Sequence, residues 1–157
     1  MAEKEAAERF WVYALELYGQ SAAQDAFLRL QDRDGADVPM LLWCLWLGSE
    51  GHGVATSVMC QAVEFSKIWR EHTVEPLRNL RKALKPGIAG VPVELANAAR
   101  SHVAETEQRI EHFQMNHLAG LSTNTLDGSA VENLDRYALA AGLTLDATDQ
   151  SIILEAR

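Results

Sequence analysis

The stretch from Val38 to Leu47, VPMLLWCLWL, is the longest apolar run in the chain. Asp37 and Pro39 stand where a helix would begin, because Asp favours the capping position and Pro fits the first helical turn. From Met40 to Leu47 such a helix is apolar on every side, and a helix without a polar face belongs in the centre of a bundle. The run has about half of the roughly 20 residues needed to cross a bilayer.

Helical periodicity continues on both sides of this run, and no segment shows convincing strand alternation. Residues 3–18 carry apolar side chains on adjoining faces up to Gly19, a typical helix stop. A second helix is predicted from a cap at Ser21 to Gly35. We expect more than about three-fifths of the residues to be helical, against roughly one-third in an average protein.

The two longest periodic segments, 54–84 and 93–118, are joined by a short turn with Pro and Gly. Pro76 interrupts the first segment, so a kink or break is expected there. We predict an all-α fold, a helical bundle of about five to seven helices with a long antiparallel helical hairpin over residues 54–118. The apolar seam predicted for its second helix consists of Ala99, Val103, Thr106, Ile110, Phe113 and His117.

The chain changes character after residue 118. Residues 121–129 are rich in Ser, Thr, Asn, Asp and Gly and indicate a linker, and two short helices are predicted at about 129–141 and 146–156. We therefore divide the chain into a helical bundle domain, residues 1–118, and an acidic C-terminal appendage with short helices, residues 119–157. Whether the appendage packs on the bundle or swings free stays open.

Composition narrows the function classes. The net charge of −8 disfavours binding of nucleic acid, whose phosphates must be neutralised. Cys44 and Cys60 lie in apolar helical patterns of a chain without a visible signal peptide, so we expect reduced thiols and a cytoplasmic location with no membrane association.

Candidate catalytic and metal sites fail on their spacing. The acidic segment 32–37 lacks the oxygen ligand, Gly and Glu that a calcium loop needs at fixed positions. The loop 48–53 follows a helix and lacks the third Gly of a dinucleotide-binding turn. No Glu stands three residues before a histidine, as di-iron bundles require. We assign no catalytic residue, metal ligand or cofactor.

One charged feature stands out in this acidic chain. Arg78, Arg81, Lys82 and Lys85 share one helical face, spaced i, i+3, i+4 and i+7. Two interpretations remain open: a solvated face near a helix end, or a binding site for an acidic protein, a phosphorylated partner, or the chain's own acidic residues 127–155. Under the second, exchanging Arg81 and Lys82 for Glu should weaken binding without lowering the melting temperature.

Several motifs resemble a family of small proteobacterial proteins known only as a domain of unknown function, over roughly residues 8–118. The resemblance implies a bacterial, helical, cytoplasmic protein and brings no reaction, cofactor or catalytic residue. The residues that carry it are Phe10-Trp11, Ala14-Leu15, Leu17-Tyr18, Leu30-Gln31-Asp32, Gly35, Asp37-Val38, Leu41-Leu42, Cys44-Leu45-Trp46, Trp69, Val74, Pro76-Leu77-Arg78 and Leu80-Arg81.

The leading functional hypothesis is a non-catalytic protein-interaction or regulatory protein that acts through its helical surfaces, with self-association through the long helices left open. The alternative is a carrier of a small apolar or anionic ligand, held in a pocket between helices. An enzyme ranks third, because no convergent polar constellation is visible.

Overall fold

The computed structural model describes residues 2–123 and 125–156. About 80% of the chain is helical, which confirms the all-α prediction. In the described residues, a π-helical turn, Arg70–Val74, joins the helix Thr56–Trp69 to the helix Glu75–Leu84 without a break, so the α-helices form seven rods. The helices are α1 (Ala2–Tyr18), α2 (Ser21–Asp34), α3 (Val38–Ser49), α4 (Thr56–Trp69), α5 (Glu75–Leu84), α6 (Val93–Gly120), α7 (Ala130–Ala141) and α8 (Ala147–Glu155).

The described residues form two compact units. The core unit comprises those of Met1–Ser66 and Met115–Arg157, and the hairpin unit comprises Lys67–Gln114. This partition differs from the predicted division at residue 119, because it assigns the C-terminal section to the core unit and separates the hairpin from it. Within the described parts of both units, no helix combines the length and apolarity that crossing a bilayer requires.

Helix α3 lies in the centre of the core unit, as its all-round apolar pattern predicts. Every residue from Val38 to Leu47 is buried, and Trp43 and Cys44 are completely inaccessible. The ring of Trp46 stacks on that of Phe10 from α1, with centroids 5.0 Å apart and planes 19° apart. Helices α1, α2 and α7 all pack against α3.

The C-terminal section belongs to the same core. Helix α7 packs on α3 and α8 packs on α2. Leu134, Tyr137 and Ile153 are buried with the residues of α3, because their side chains form the apolar faces of the two short helices. The question of whether the acidic section packs on the bundle is thus answered: it does.

Two loops that the sequence indicates as a connector and a linker are paired with each other. Strand β1 (His52–Gly53) runs antiparallel to β2 (Leu126–Asp127). A side chain at Gly128 would come within 2.6 Å of the Cα of Gly53, so this close backbone approach requires glycine. Buried Asn133 holds the ladder to α3, since its amide donates to the carbonyls of His52 and Cys44 at 2.9 and 3.2 Å.

Several predicted helix ends are confirmed, but the predicted cap at Ser21 is wrong, because Ser21 is the first residue of α2 and Gln20 occupies the N-cap. Gly35 and Gly142 end α2 and α7 with positive φ, and Asp146 caps α8 through its side chain. Asp37 does occupy the N-cap of α3, but its side chain forms no capping hydrogen bond there. Its backbone amide instead donates to the hydroxyl of Tyr137 at 2.8 Å, which ties the start of α3 to α7.

Candidate functional site

The π-helical turn Arg70–Val74 lies near the start of the hairpin unit and ends two residues before Pro76. Proline has no amide hydrogen and its ring crowds the carbonyl four residues earlier, so one extra residue in the turn relieves both problems. The amide of Glu75 accordingly donates to the carbonyl of Arg70, five residues back. The irregularity predicted at Pro76 therefore takes the form of an insertion rather than a break.

Ion pairs join the two arms of the hairpin. Arg81 Nε donates to Glu107 Oε2 at 2.7 Å, and Arg78 Nε donates to Glu107 Oε1 at 3.2 Å. Arg78 Nη2 also donates to Glu111 Oε1 at 3.3 Å. From Arg81 back to Arg78 on α5, the partner on α6 moves forward from Glu107 to Glu111. The two arms therefore run antiparallel, as predicted.

Glu107 is the centre of this network. It is 7% exposed, an unusual position for a carboxylate unless it is paired. Burial alone would raise the pKa of the Glu107 carboxyl, but the hydrogen bonds from Arg81 and Arg78 outweigh burial and hold the pKa below its usual value. The bond with Glu107 likewise raises the pKa of Arg81. The network is therefore ionised and fixed at neutral pH.

The network divides the basic stripe predicted from the sequence. Arg78 and Arg81 turn toward α6 and are bound by Glu107, whereas Lys82 and Lys85 are exposed. The expectation that Arg81 can be exchanged for Glu without loss of stability must be revised, since this would place two carboxylates together. A binding role for the stripe stays a prediction, and its accessible part is the lysine pair.

The acidic C-terminal section has other partners for its carboxylates. Asp149 accepts hydrogen bonds from Arg29 at 2.8 Å and from Arg33 at 2.9 Å, both on α2. Glu132 closes a capping box with Ser129 at the start of α7. These groups are engaged within the core unit, so their contacts lend no support to a tail that covers the basic stripe.

The apolar seam predicted for α6 is shifted by one residue. The structure buries or half-buries Ala96, Arg100, Val103, Glu107 and Ile110, whereas Thr106, Phe113 and His117 are exposed. The two registers share Val103 and Ile110. Polar side chains occupy the buried register because arginines from α5 supply partners for Glu107, a pairing that the pattern of one helix cannot show.

Arg100 was missed by the sequence analysis. It is half-buried, and its Nε is fully buried without a hydrogen-bond partner among the described residues. The sequence does indicate that Arg100 has no acidic partner on its own helix. None of the residues three or four positions away, on the same helical face, is acidic. These neighbours are Ala96, Asn97, Val103 and Ala104.

Apolar side chains line one side of the hairpin. On α5, Leu77, Leu80 and Leu84 lie to one side of the line along which the two helices touch. Leu95 and Phe113 lie to one side of the same line on α6. On both helices this side is counter-clockwise of the contact line when the helix is viewed from its N-terminus. Because the helices are antiparallel, both rows face the same side. Leu80, Leu95 and Phe113 are 49%, 62% and 58% exposed. Leu95 and Phe113 are five turns apart, so this apolar side is about 27 Å long.

The core unit has an open groove with a volume of about 580 Å³. Tyr13 and Trp46 are among its lining residues, and burial raises the pKa of the Tyr13 hydroxyl. Four carboxylates also line it, and one of them, Glu50, pairs with Arg9 at 3.2 Å. The acidic lining residues are Glu5, Glu8, Glu16 and Glu50. Such a groove repels anions and is not the deep apolar void of a carrier.

The profile of a family described as "Protein of unknown function (DUF2390)" matches residues 9–118. The chain belongs to this family. No curated protein and no solved structure matches it.

The family match confirms the resemblance inferred from the sequence motifs. In this DUF2390 member the matched segment contains the second half of α1, all of α2–α5 and most of α6, and hence the whole hairpin unit. Helices α7 and α8 lie outside the match, although they bury Leu134 and Ile153 in the same core as α3. The hairpin and its ion pairs are thus located in the part of the chain that the family defines.

Proposed function

We propose that this protein is a non-catalytic protein-interaction protein that binds its partner through the hairpin unit. The observation that carries the proposal is the exposed apolar side formed by Leu80, Leu95 and Phe113. On α6 the exposed Ala99, His102 and Thr106 separate Leu95 from Phe113, so these residues form separate apolar anchors on one side of the hairpin. Water solvates large apolar side chains poorly, and several of them exposed on one side of a hairpin favour an interaction site.

The arrangement suits recognition of a helix. Apolar anchors on two antiparallel helices form a shallow strip about 27 Å long, enough for about 18 residues of a partner helix. The Arg–Glu network in the seam between the two helices fixes them, so binding would cost little conformational entropy. A rigid, preformed strip supports a binding role, and the described part of the chain offers no convergent set of polar groups that would support a catalytic one.

The carrier hypothesis remains the second candidate with less support. Its ligand was expected to be apolar or anionic, and the groove of the core unit presents four carboxylates instead. The compartment is also a proposal. Cys44 is a buried thiol and Cys60 is exposed, so Cys60 is not the core residue that its apolar pattern predicts; both are free, which fits a reducing bacterial cytoplasm.

Affinity capture from the native host tests the proposal with a matched pair of variants. Leu80→Ser with Phe113→Ser removes two anchors of the apolar side, while Val131→Ser with Leu139→Ser removes two exposed apolar side chains of α7. We expect recovery of the captured partner to fall at least tenfold for the first variant and to remain unchanged for the second. Circular dichroism should show equal helicity in both.

A different result would contradict the proposal. If both double variants capture the same proteins in the same amounts as the unmodified chain, the apolar side of the hairpin is not the interaction surface. A specific loss with the α7 variant alone would move the interaction surface to the core unit.

A further inference from the structure

Arg100 differs from the other arginines that lie in or beside the hairpin seam. Arg78 and Arg81 bind Glu107, and Arg70 lies 3.9 Å from a carboxylate oxygen of Glu111. No acidic side chain of the described residues forms an ion pair with Arg100, and its buried Nε–H has no acceptor. The unsatisfied Nε–H is unfavourable because burial removes its water, and the rest of the guanidinium carries a positive charge that no acidic side chain neutralises.

The register of the hairpin brings Lys85 to the same place. The Arg81–Glu107 bond fixes the two helices against each other at 2.7 Å. Lys85 is one turn beyond Arg81, about 6 Å toward the connecting turn, and Arg100 is two turns from Glu107, about 10.5 Å in the same direction. Their Cα positions thus differ by only about 4.5 Å along the hairpin, on the same side of each helix as the ion pair.

Lys82 adds a third positive charge beside this position. It lies one turn after Arg78 on the charged side of α5 and is exposed, as Lys85 is. The nearest acids on α6, Glu94 and Glu105, lie six and five residues from Arg100, where the helix turns their side chains away from it. The Cα atoms of the three cationic residues therefore span about 9 Å along the turn end of the hairpin, a distance that their long side chains can bridge, and neither helix places a carboxylate between them.

We propose that Arg100, Lys85 and Lys82 form a binding site for a phosphate group. The two Nη groups of the guanidinium can donate parallel hydrogen bonds to an oxyanion, and the lysines neutralise the remaining charge. Three positive charges fit a phosphate dianion better than a single carboxylate. The proposal goes beyond the protein-interaction function and does not depend on it, since none of its three residues belongs to the apolar strip.

Titration with inorganic phosphate at constant ionic strength tests the site directly. The side-chain Nε–H resonance of Arg100 should shift and saturate, whereas chloride at equal ionic strength should leave it unmoved. In Arg100→Gln we expect at least tenfold weaker phosphate binding, measured by calorimetry. Arg109→Gln is the matched control, because it removes the same charge from an exposed position of the same helix.

Lys85→Gln keeps the test decisive if Arg100→Gln does not fold, since Lys85 is exposed and its loss should also weaken phosphate binding severalfold. O-phosphoserine in a parallel titration distinguishes the source of the group: tighter binding than inorganic phosphate indicates a phosphorylated partner, and the reverse indicates the free ion. Equal phosphate affinity in the unmodified chain, Arg100→Gln and Lys85→Gln, or no saturable binding at all, would overturn the proposal.

Discussion

The core unit and the hairpin unit bury different kinds of side chain. In the core unit α3 is enclosed by apolar groups, and Trp43 and Leu41 are completely inaccessible. In the hairpin unit Glu107 and Arg70 are only 7% and 9% exposed, while Phe113 remains 58% exposed. One interior is therefore stabilised mainly by removal of apolar surface from water, and the other depends on paired charges between two helices.

The two units also differ in charge. The hairpin unit, residues 67–114, has eight of the 14 basic residues and six of the 22 acidic ones, a net charge of +2. The remaining residues carry a net charge of −10. An overall charge of −8 thus conceals a region with a local positive excess, which is why total charge alone is a poor guide to the partners of this chain.

Removal of Trp46 should have the largest effect on stability. Its indole is 2% exposed and stacks on Phe10 at 5.0 Å, so Trp46→Ala removes a large buried surface and leaves a cavity in the core unit. We expect the free energy of unfolding to fall by about 3–5 kcal/mol, measured by chemical denaturation. Leu139→Ala, at an 83% exposed position, serves as the control. Equal stabilities of the two variants would refute the central position of α3.

Loss of the charge at Glu107 should destabilise the hairpin unit less. Glu107→Gln leaves Arg78 and Arg81 with a neutral acceptor, and we expect a loss of about 1–3 kcal/mol. Hydrogen exchange should accelerate for amides of α5 and of the first part of α6, with little change at α3. Glu105→Gln on the exposed face of α6 is the control. Uniform acceleration over both units would show that the ion pairs support the whole molecule instead.

The difference between the units explains which parts of the fold could be predicted from the sequence alone. In Val38–Leu47 burial follows the apolar pattern, so the central helix was predictable from this short run. In α6 two registers one residue apart compete, one through Thr106 and Phe113 and the other through Glu107. The first register contains more apolar residues, but the second is the one that is buried, because the arginines of α5 pair with Glu107. A contact between distant segments leaves no trace in the periodicity of either one.

The candidate site was partly predictable for the same reason. The spacing of Arg78, Arg81, Lys82 and Lys85 identifies a basic face, yet it cannot tell which members find a carboxylate on the neighbouring helix. Only the pairing with Glu107 separates the arginines from the lysines. Arg100 becomes notable only once its buried Nε and its missing acceptor are known.

The core unit should show its own charge dependence at acidic pH. Hydrogen bonds from Arg29 and Arg33 outweigh burial and hold the pKa of Asp149 below its usual value, and Arg33 acts similarly on Asp34. A carboxyl whose pKa is lowered by folding stabilises the fold above its unfolded pKa of about 4, and this stabilisation is lost as the pH falls through the folded pKa. The contact between α2 and α8 should therefore weaken below about pH 4.

Thermal unfolding of Asp149→Asn between about pH 7 and pH 2 measures this effect. The variant should melt below the unmodified chain at neutral pH, and the two curves should converge as the pH falls below about 4. Asp135→Asn, at an exposed position of α7, is the control. A difference in melting temperature that stays constant over the whole range would mean that the loss at Asp149 is one of packing and not of charge.

The smallest effect on stability is expected on the apolar side of the hairpin. Phe113 is 58% exposed and lies outside the buried register of α6, so Phe113→Ser removes little surface that folding has taken from water. We expect the free energy of unfolding to change by no more than about 0.5 kcal/mol. The same substitution at Phe10, which is inaccessible in the core unit, should cost several times more. If Phe113→Ser proves as damaging as Phe10→Ser, the ring is needed to hold the hairpin together and is not free to anchor a partner. A near-neutral result would show that the largest exposed ring of the hairpin contributes little to its folding, as a surface for binding requires.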